Sequence, residues 1–426
     1  MLFNQKSIGE NEKTLVKNTF WLYVMQISGY VFPLLTFPYL TRILGPENYG
    51  IVIFANAAMF YFQMFLEFGF ILSATNEISL NRDDLIKVRE VTFSVLFAKL
   101  ILAVLGTLLL TVCFLFVQKF NENSLYFVLS YIGVFLTIFL PDFLFRGIER
   151  MSILTYRVLF SKFVYTICIF AFIHKNSDFI FVPVATILSN LAAIILTWIE
   201  IIRNLKVYPI KIKFSEVIAE LKNSSVFFLS RVAVSMYQTL NTILLGFKVS
   251  SAELANYGAA NNLVSSGRNL LSPISDSIYP YMVRNKKYRL VKKLILILEP
   301  LIIIGCLILY FVAPWFIRIF CGKDYENAVP VFRAMLPLIA ISLPTYLFGY
   351  PLMGALGIIK IANLSVIIGS VFHMAGLFVL YFAGFLYFVP VSLLTFVTEI
   401  VVFSIRFVCG MKKLKTVFFN KDGVKK

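Results

Sequence analysis

Two arginines lie on polar stripes within otherwise apolar segments, and they are the strongest candidates for ligand chemistry in this sequence. In the segment 223–247, Arg231 and Gln238 are seven residues apart, which is close to two turns of an α-helix. In the segment 254–281, five polar residues follow one another at steps of four, three, four and four. They are Asn261, Ser265, Arg268, Ser272 and Asp276. Such steps place all five side chains on one helical face.

An arginine within an apolar helix needs a polar environment, because burying its charge costs several kcal/mol and the guanidinium does not lose its proton. A guanidinium can hold phosphate oxygens through two parallel hydrogen bonds. We therefore predict that Arg231 and Arg268 bind substrate in a cationic cavity, with an internal salt bridge as the alternative. The serines have a second explanation that is equally good, since small residues let helices pack closely.

Two lysines also lie within apolar segments. Lys99 is about eight residues, roughly 12 Å, from the start of the segment 91–117, and we predict that it assists the arginines near the entrance of the cavity. Lys162 lies at a similar depth in 152–173. Its long side chain favours an interfacial position, where the ammonium group reaches the polar boundary.

The segment 50–74 contributes a further polar face, because Asn56, Gln63 and Glu67 follow at steps of seven and four. We predict a polar cavity lining that consists of Asn261, Ser265, Ser272, Gln238, Asn56 and Gln63. Glu67 and Asp276 are candidates for ion coupling, with H⁺ or Na⁺ as the ion. The equal alternative is that these two carboxylates pair with the arginines.

Metal, redox and catalytic chemistry have no support in the sequence. The five cysteines are scattered, mostly within apolar runs, without a CxxC pair, and there are only two histidines. No predicted outer loop is long enough for a catalytic domain. We therefore expect no metal, no cofactor, no catalytic residues and no enzyme activity.

Composition indicates a membrane protein. Of 426 residues, 59% are hydrophobic and 14% are charged, whereas a soluble domain has about 25% charged residues. The net charge of +17 resides mainly in short segments between apolar runs. This arrangement is a topology signal and excludes a nucleic-acid partner.

Twelve apolar runs are long enough to cross a bilayer, which takes about 20 residues each. They lie near 18–40, 50–74, 91–117, 124–145, 152–173, 178–202, 223–247, 254–281, 294–318, 328–355, 358–382 and 384–408. The predicted fold class is therefore an all-α polytopic membrane protein. Of the 39 Lys and Arg residues, 28 fall in one alternate set of loops and 6 in the other. This bias predicts that both termini are cytoplasmic.

Short sequences recur at a spacing of a little over two hundred residues. Asn48-Tyr49-Gly50 returns as Asn256-Tyr257-Gly258, KNT at 17–19 returns as KNS at 222–224, and LPDFLF at 140–145 returns as LPTYLF at 343–348. Two copies of a six-span unit explain this order, and an even number of spans relates them by a pseudo-twofold axis along the membrane normal. The predicted parts are an N-terminal lobe (1–206), a cytoplasmic linker (207–222), a C-terminal lobe (223–410) and a basic tail (411–426).

Four stretches resemble one known family. They are LLTFPYLTRILGPENYGI (34–51), LEFGFILSATNEIS (66–79), FLFRGIERM (143–151) and NYGAANNLVSSGRNLLSPISDSIYP (256–280). Together with the rest of the chain they are similar to the Wzx-type O-antigen flippases of bacteria. The resemblance implies the two-lobed, twelve-helix fold shared with MATE-type multidrug exporters.

The resemblance also implies a function, which is to move an oligosaccharide on undecaprenyl diphosphate across the cytoplasmic membrane, together with polymerase and chain-length proteins of the same pathway. A diphosphate is anionic, and cationic stripes suit it. A cation-coupled drug exporter of the same fold is the alternative, for which deep acidic residues are expected instead. A polymerase, ligase or glycosyltransferase is disfavoured by the short outer loops.

Overall fold

The computed structural model describes residues 8–235 and 239–422, and in these residues the chain is helical without β-strands. It divides into two compact units, Met1–Val232 (unit 1) and Ala233–Lys426 (unit 2). The boundary falls inside one helix, Phe214–Ser235. That helix begins in the predicted linker and continues into the segment predicted as span seven, so the chain has no helix break at residue 222.

Unit 1 begins with a helix of 60 residues and contains nine helices up to the boundary. They are α1 (Ile8–Glu67), α2 (Phe70–Leu80), α3 (Leu85–Phe116), α4 (Gln118–Glu122), α5 (Ser124–Leu136), α6 (Asp142–Gly147), α7 (Met151–Phe172), α8 (Phe181–Glu200) and α9 (Phe214–Ser235). Asp84 caps α3, because its carboxylate accepts hydrogen bonds from the backbone N–H groups of Ile86 and Lys87.

α1 is interrupted at Gly45, whose φ of 67° and ψ of 173° are not helical. Glycine adopts this positive φ without steric cost. The break coincides with the predicted loop between spans one and two. Asn48 of the repeated tripeptide donates a hydrogen bond to the backbone oxygen of Asn176 at 2.9 Å, and Tyr49 is buried.

The chain turns between α1 and α2 at Phe68 and Gly69, which have φ values of 42° and 82°. A Cβ atom on Gly69 would lie 2.8 Å from the Cβ of Phe227 and 2.9 Å from backbone atoms of Ser224 and Phe228. Glycine therefore allows α9 to pass directly against the turn. The rings of Phe68 and Phe228 stack at 4.5 Å, and this contact helps to hold α9 on the unit.

Unit 2 contains the remaining seven helices of the described chain. They are α10 (Leu240–Lys248), α11 (Ser251–Asn285), α12 (Arg289–Cys321), α13 (Ala328–Phe348), α14 (Tyr350–Ala355), α15 (Ile359–Phe382) and α16 (Phe388–Asp422). A capping box starts α11, since Ser250 and Glu253 exchange side-chain and backbone hydrogen bonds. The second copy of the tripeptide lies in the first turns of α11, where Asn256 and Tyr257 are buried.

Nine segments of the described chain are long and apolar enough to cross a membrane, and the first, Lys17–Leu80, is long enough to hold two spans. The segment predicted as span eight is not among the nine, because the polar stripe of α11 lowers its hydropathy, and the segment predicted as span seven includes residues 236–238, which lie outside the described residues. The fold is thus an all-α polytopic membrane protein. The count of twelve and the axis relating the copies stay predictions.

Candidate functional site

Unit 1 encloses a polar cavity of about 400 Å³, which we name the unit 1 cavity. Its charged lining comes from four helices: Glu67 from α1, Lys99 from α3, Asp142 from α6, and Arg157 and Lys162 from α7. The uncharged polar lining is Gln63, Thr137, Ser161 and Asn190. Three cations and two carboxylates therefore line one cavity.

The α1 side of this cavity is ordered by a chain of hydrogen bonds. Gln63 and Glu67 are one helical turn apart, and the Gln63 amide donates to Glu67 Oε1 at 3.2 Å. The other carboxylate oxygen, Oε2, accepts from Arg231 Nη1 at 2.6 Å. Arg231 reaches Glu67 because α9 passes against the turn at Gly69. The two alternatives for Glu67 are ion coupling and pairing with an arginine. The structure contains the arginine pair.

A second pair closes the opposite side. Arg157 donates to both carboxylate oxygens of Asp142, and the Nη2 to Oδ2 distance is 3.0 Å. The Arg157 side chain is 7% exposed. In the sequence, Asp142 and Arg146 are four residues apart, a spacing that suits a pair within one helix, whereas the Asp142 carboxylate binds Arg157 of α7. The ion pair forms because α6 and α7 pack against each other. In the sequence, the only signal for this pair is the cluster of charged residues between 142 and 157.

The two lysines distinguish this cavity, because both carboxylates already pair with arginines. Lys99 is 6% exposed, and its ammonium lies 5.7 Å from the centre of the Phe143 ring, a cation–π contact. In residues 8–235 and 239–422, neither Lys99 nor Lys162 forms a salt bridge. The lining as a whole is therefore positive and suits an anionic ligand.

Arg268 is the central charge of unit 2. Its Nη2 donates to Glu399 of α16, and its Nε donates to the hydroxyl of Ser342 on α13 at 2.8 Å. Glu399 is 3% exposed. This salt bridge joins α11 to α16 within the unit. Glu399 is absent from the predicted site residues, although Ser392, Thr395, Glu399 and Arg406 follow at steps of three, four and seven and so share a helical face that could have revealed it.

Two cavities of about 270 and 260 Å³ share Arg268 and Tyr346 in their lining. Asn261 and Ser265 line the first, and Ser272 and Asp276 line the second. The hydroxyl of Ser272 donates to Asp276 at 3.2 Å. The polar face predicted for α11 therefore lines both cavities, and Arg268 belongs to the lining of each.

Two further buried polar groups of unit 2 are not among the predicted residues. Arg406 donates to the hydroxyl of Ser365 and to the backbone oxygens of Thr345 and Ala362, at 2.8–3.2 Å. His373 lies between the hydroxyl of Thr398 and the amide oxygen of Asn241, both at 2.8 Å. No role is predicted for Arg406 in the apolar run 384–408, whereas in the structure it ties α16 to α13 and α15.

The remaining predicted residues are less informative. Asn56 is exposed and lies outside the lining of the cavities described above. Gln238 lies outside the described residues. Arg231 and Arg268 are each in an ion pair of their own unit. Their action on a common ligand stays a prediction, as does ion coupling by Glu67 and Asp276.

Membrane-length helices around charged, polar cavities are typical of membrane transporters. Residues 15–286 match the family described as polysaccharide biosynthesis protein. The chain belongs to this family of multi-pass membrane proteins. It is 34% identical over 337 residues to "Putative O-antigen transporter" of Escherichia coli (strain K12), and the matched region covers 77% of this chain and 80% of that protein. A protein of the same name from Shigella dysenteriae is 28% identical over 84% of this chain and 91% of its own length.

Solved structures support the fold at low sequence identity. An inward-facing multidrug resistance MATE family transporter of the MOP superfamily has a TM-score of 0.72 at 15% identity, covering 90% of this chain and 95% of that one. The lipid II flippase MurJ, in an inward closed conformation, has a TM-score of 0.69 at 13% identity, covering 96% and 93%. The predicted MATE-like fold class is confirmed, and the relatives are transporters rather than enzymes.

Proposed function

We propose that this chain is a flippase that moves undecaprenyl-diphosphate-linked O-antigen units across the bacterial cytoplasmic membrane. The observation that carries the proposal is the surplus of cations in the unit 1 cavity, where Lys99 and Lys162 face a space whose carboxylates are already paired. Two curated relatives named as O-antigen transporters support the same substrate class. Both termini are cytoplasmic in this proposal.

Lys99 is the proposed first contact of the diphosphate. An ammonium held among helices and over an aromatic ring is poorly hydrated, so a phosphate oxygen that replaces water gains a strong charge-assisted hydrogen bond. Arg231 is proposed to join it by exchanging Glu67 for the phosphate. Arg268 is proposed to act in unit 2, with Asn261, Ser265 and Ser272 as polar contacts along the same helix face.

Exchange of partners also supplies a proposed coupling mechanism. If Glu67 loses Arg231 to the phosphate, its carboxylate is left in a partly buried site and takes up a proton or a Na⁺ ion. Release of the lipid carrier restores the pair and expels the ion on the same side of the membrane, so that the ion moves in the same direction as the lipid. The two states would then favour opposite access, as expected for alternating access between two lobes.

A cation-coupled multidrug exporter is the second candidate, because the solved MATE transporter shares the fold. A cationic drug requires an acidic cavity, whereas the unit 1 cavity has more cations than carboxylates. The charge of the cavity therefore favours an anionic substrate.

The test is genetic complementation of a strain that lacks its O-antigen flippase, with lipid-linked intermediates measured on each face of the membrane. We expect the chain to clear intermediates from the inner leaflet and restore surface polysaccharide. Drug resistance that rises above that of the flippase-deficient strain, without any effect on these intermediates, would favour the exporter and refute the flippase.

A further inference from the structure

A second kind of cavity lies in unit 2, and it differs chemically from the polar cavities. Its volume is about 510 Å³, within the range of small-molecule sites, and nearly all of its surface is apolar. The lining comes from the first turns of α12, the last turns of α13, the short helix α14 and the second half of α16. We name this cavity the α12–α16 groove. Leu296, Phe348 and Phe407 are representative of its apolar wall.

The groove opens on helices that are suited to lipid. In α12, Leu296 is 64% exposed and Leu301 is 63% exposed. α12, α13 and α16 are all among the segments long and apolar enough to cross a membrane. α12 and α16 each pack on α13, and the groove lies over α13 between them. An apolar occupant of this groove is thus in contact with the acyl chains of the bilayer.

Charge is concentrated at one end of the groove. Tyr288, Arg289 and Lys292 line it there, and Arg289 and Lys292 are exposed. The sequence contains no acidic residue between Asp276 and Glu299, while it contains six basic ones: Arg284, Lys286, Lys287, Arg289, Lys292 and Lys293. The end of α16 adds Lys412, Lys413 and Lys415, again without a carboxylate before Asp422.

An apolar slot with cations at one end matches the shape and charge of an anionic phospholipid. We propose that the α12–α16 groove binds an anionic phospholipid of the surrounding leaflet, with an acyl chain along Leu296, Phe348 and Phe407 and the phosphate at Arg289 and Lys292. Basic pockets between transmembrane helices recognise lipid headgroups by this combination of contacts. The site is distinct from the polar cavities proposed for transport, so either proposal can fail without the other.

Native mass spectrometry of the full-length protein with equimolar phosphatidylglycerol and phosphatidylcholine of identical acyl chains tests the headgroup contact. We expect wild type to prefer phosphatidylglycerol by about 30-fold, since each basic residue near an anionic headgroup contributes about a fivefold preference. The double variant Arg289→Gln/Lys292→Gln should bring the two lipids close to equal. The control Lys286→Gln/Lys287→Gln removes the same charge from the residues that precede α12, outside the groove, and should keep most of the preference.

A second pair of variants tests the acyl-chain contact. Leu296→Trp fills the groove, and the bound adducts of both lipids should be lost, because the indole ring occupies the volume of the acyl chain. Leu301→Trp is matched in helix and exposure but lies outside the groove, and it should bind lipid normally.

Equal losses in both double variants would mean diffuse attraction to a basic surface and would overturn the proposal. Equal losses in both tryptophan variants would overturn it as well. So would displacement of phosphatidylglycerol by one equivalent of undecaprenyl phosphate, since the groove would then hold the tail of a transported lipid.

Discussion

The polar cavities of the two units use different charge arrangements. In unit 1, Glu67 and Asp142 pair with Arg231 and Arg157, and Lys99 and Lys162 bring additional positive charge into the same space. In unit 2, Arg268 pairs with Glu399, and Arg406 and Asp276 also line the second cavity, so that cations and carboxylates are equal in number there. The polar cavities of the two units therefore differ in charge.

The difference separates two uses of a buried cation. An arginine that binds a carboxylate and backbone oxygens holds helices together, and removing its partner is costly because a charge is left buried. A lysine ammonium group that lies over an aromatic ring still has N–H donors that can hydrogen-bond to a ligand. We therefore expect variants of the ion pairs to act first on stability, and variants of Lys99 to act on transport.

The largest effect is expected from breaking the unit 2 pair. Glu399→Ala leaves Arg268 without its carboxylate, which should lower the free energy of unfolding by about 3–5 kcal/mol. The amount of folded protein, measured by fluorescence-detected size exclusion, should fall. Arg268→Met/Glu399→Leu replaces the pair by apolar side chains and should restore folded protein but not transport. Full transport by this double variant would show that Arg268 is purely structural.

Lys99→Gln tests whether the lysine in the unit 1 cavity acts in transport rather than in stability. We expect the protein to fold while transport falls about 10- to 100-fold, because a charge-assisted hydrogen bond of about 1.5–3 kcal/mol is lost. Surface polysaccharide and inner-leaflet intermediates are the measurements. Lys119→Gln, on α4 outside the cavity, is the control and should transport normally. Transport by Lys99→Gln at the control level would remove the distinction between the units.

Two glycines of similar backbone conformation test how α9 is held on unit 1. Gly69 has φ of 82° and is crowded by α9, whereas Gly384 in unit 2 has φ of 76° with nothing within 4 Å of its Cβ position. Alanine at either site meets the positive φ, which costs about 1–2 kcal/mol. Gly69→Ala should cost about 1–3 kcal/mol more, because it also overpacks the contact with α9. Equal thermal shifts for both variants would contradict this close contact.

The smallest effect concerns Glu220 on α9, outside the membrane-spanning segments. Its carboxyl is 5% exposed, and burial, together with the neighbouring Glu77, raises its pKa to about 8. Lys87 opposes the shift, and Glu90 adds to it. Between about pH 4.5, the pKa of an unfolded glutamate, and pH 8, the folded state binds more protons. Stability should therefore decrease as pH rises through this window.

Glu220→Gln should remove this pH dependence. At pH values above 8, it should also raise the thermal midpoint by a few degrees. Thermal unfolding in detergent from pH 5 to pH 9 measures it, with Glu47→Gln, an exposed position of unit 1, as control. A wild-type midpoint that rises with pH in this range would contradict a proton held at Glu220.

The sequence by itself determined the membrane class, the main apolar segments and the polar face of α11. Composition and helical periodicity are local properties, so the spacing of Asn261, Ser265, Arg268, Ser272 and Asp276 is sufficient to assign them to one face. The spacing of Gln63 and Glu67 likewise places them together, and both lie in the unit 1 cavity.

Only the tertiary structure decided which charges meet. Arg231 and Glu67 are 164 residues apart, and Arg268 and Glu399 are 131 residues apart, so no periodicity within one helix connects them. No site role is predicted for Arg157 or Arg406 from the sequence, yet neighbouring helices bury both. The partner of a buried charge depends on how distant helices pack. The low-dielectric interior then makes that pairing important, because a buried charge without a partner is costly there.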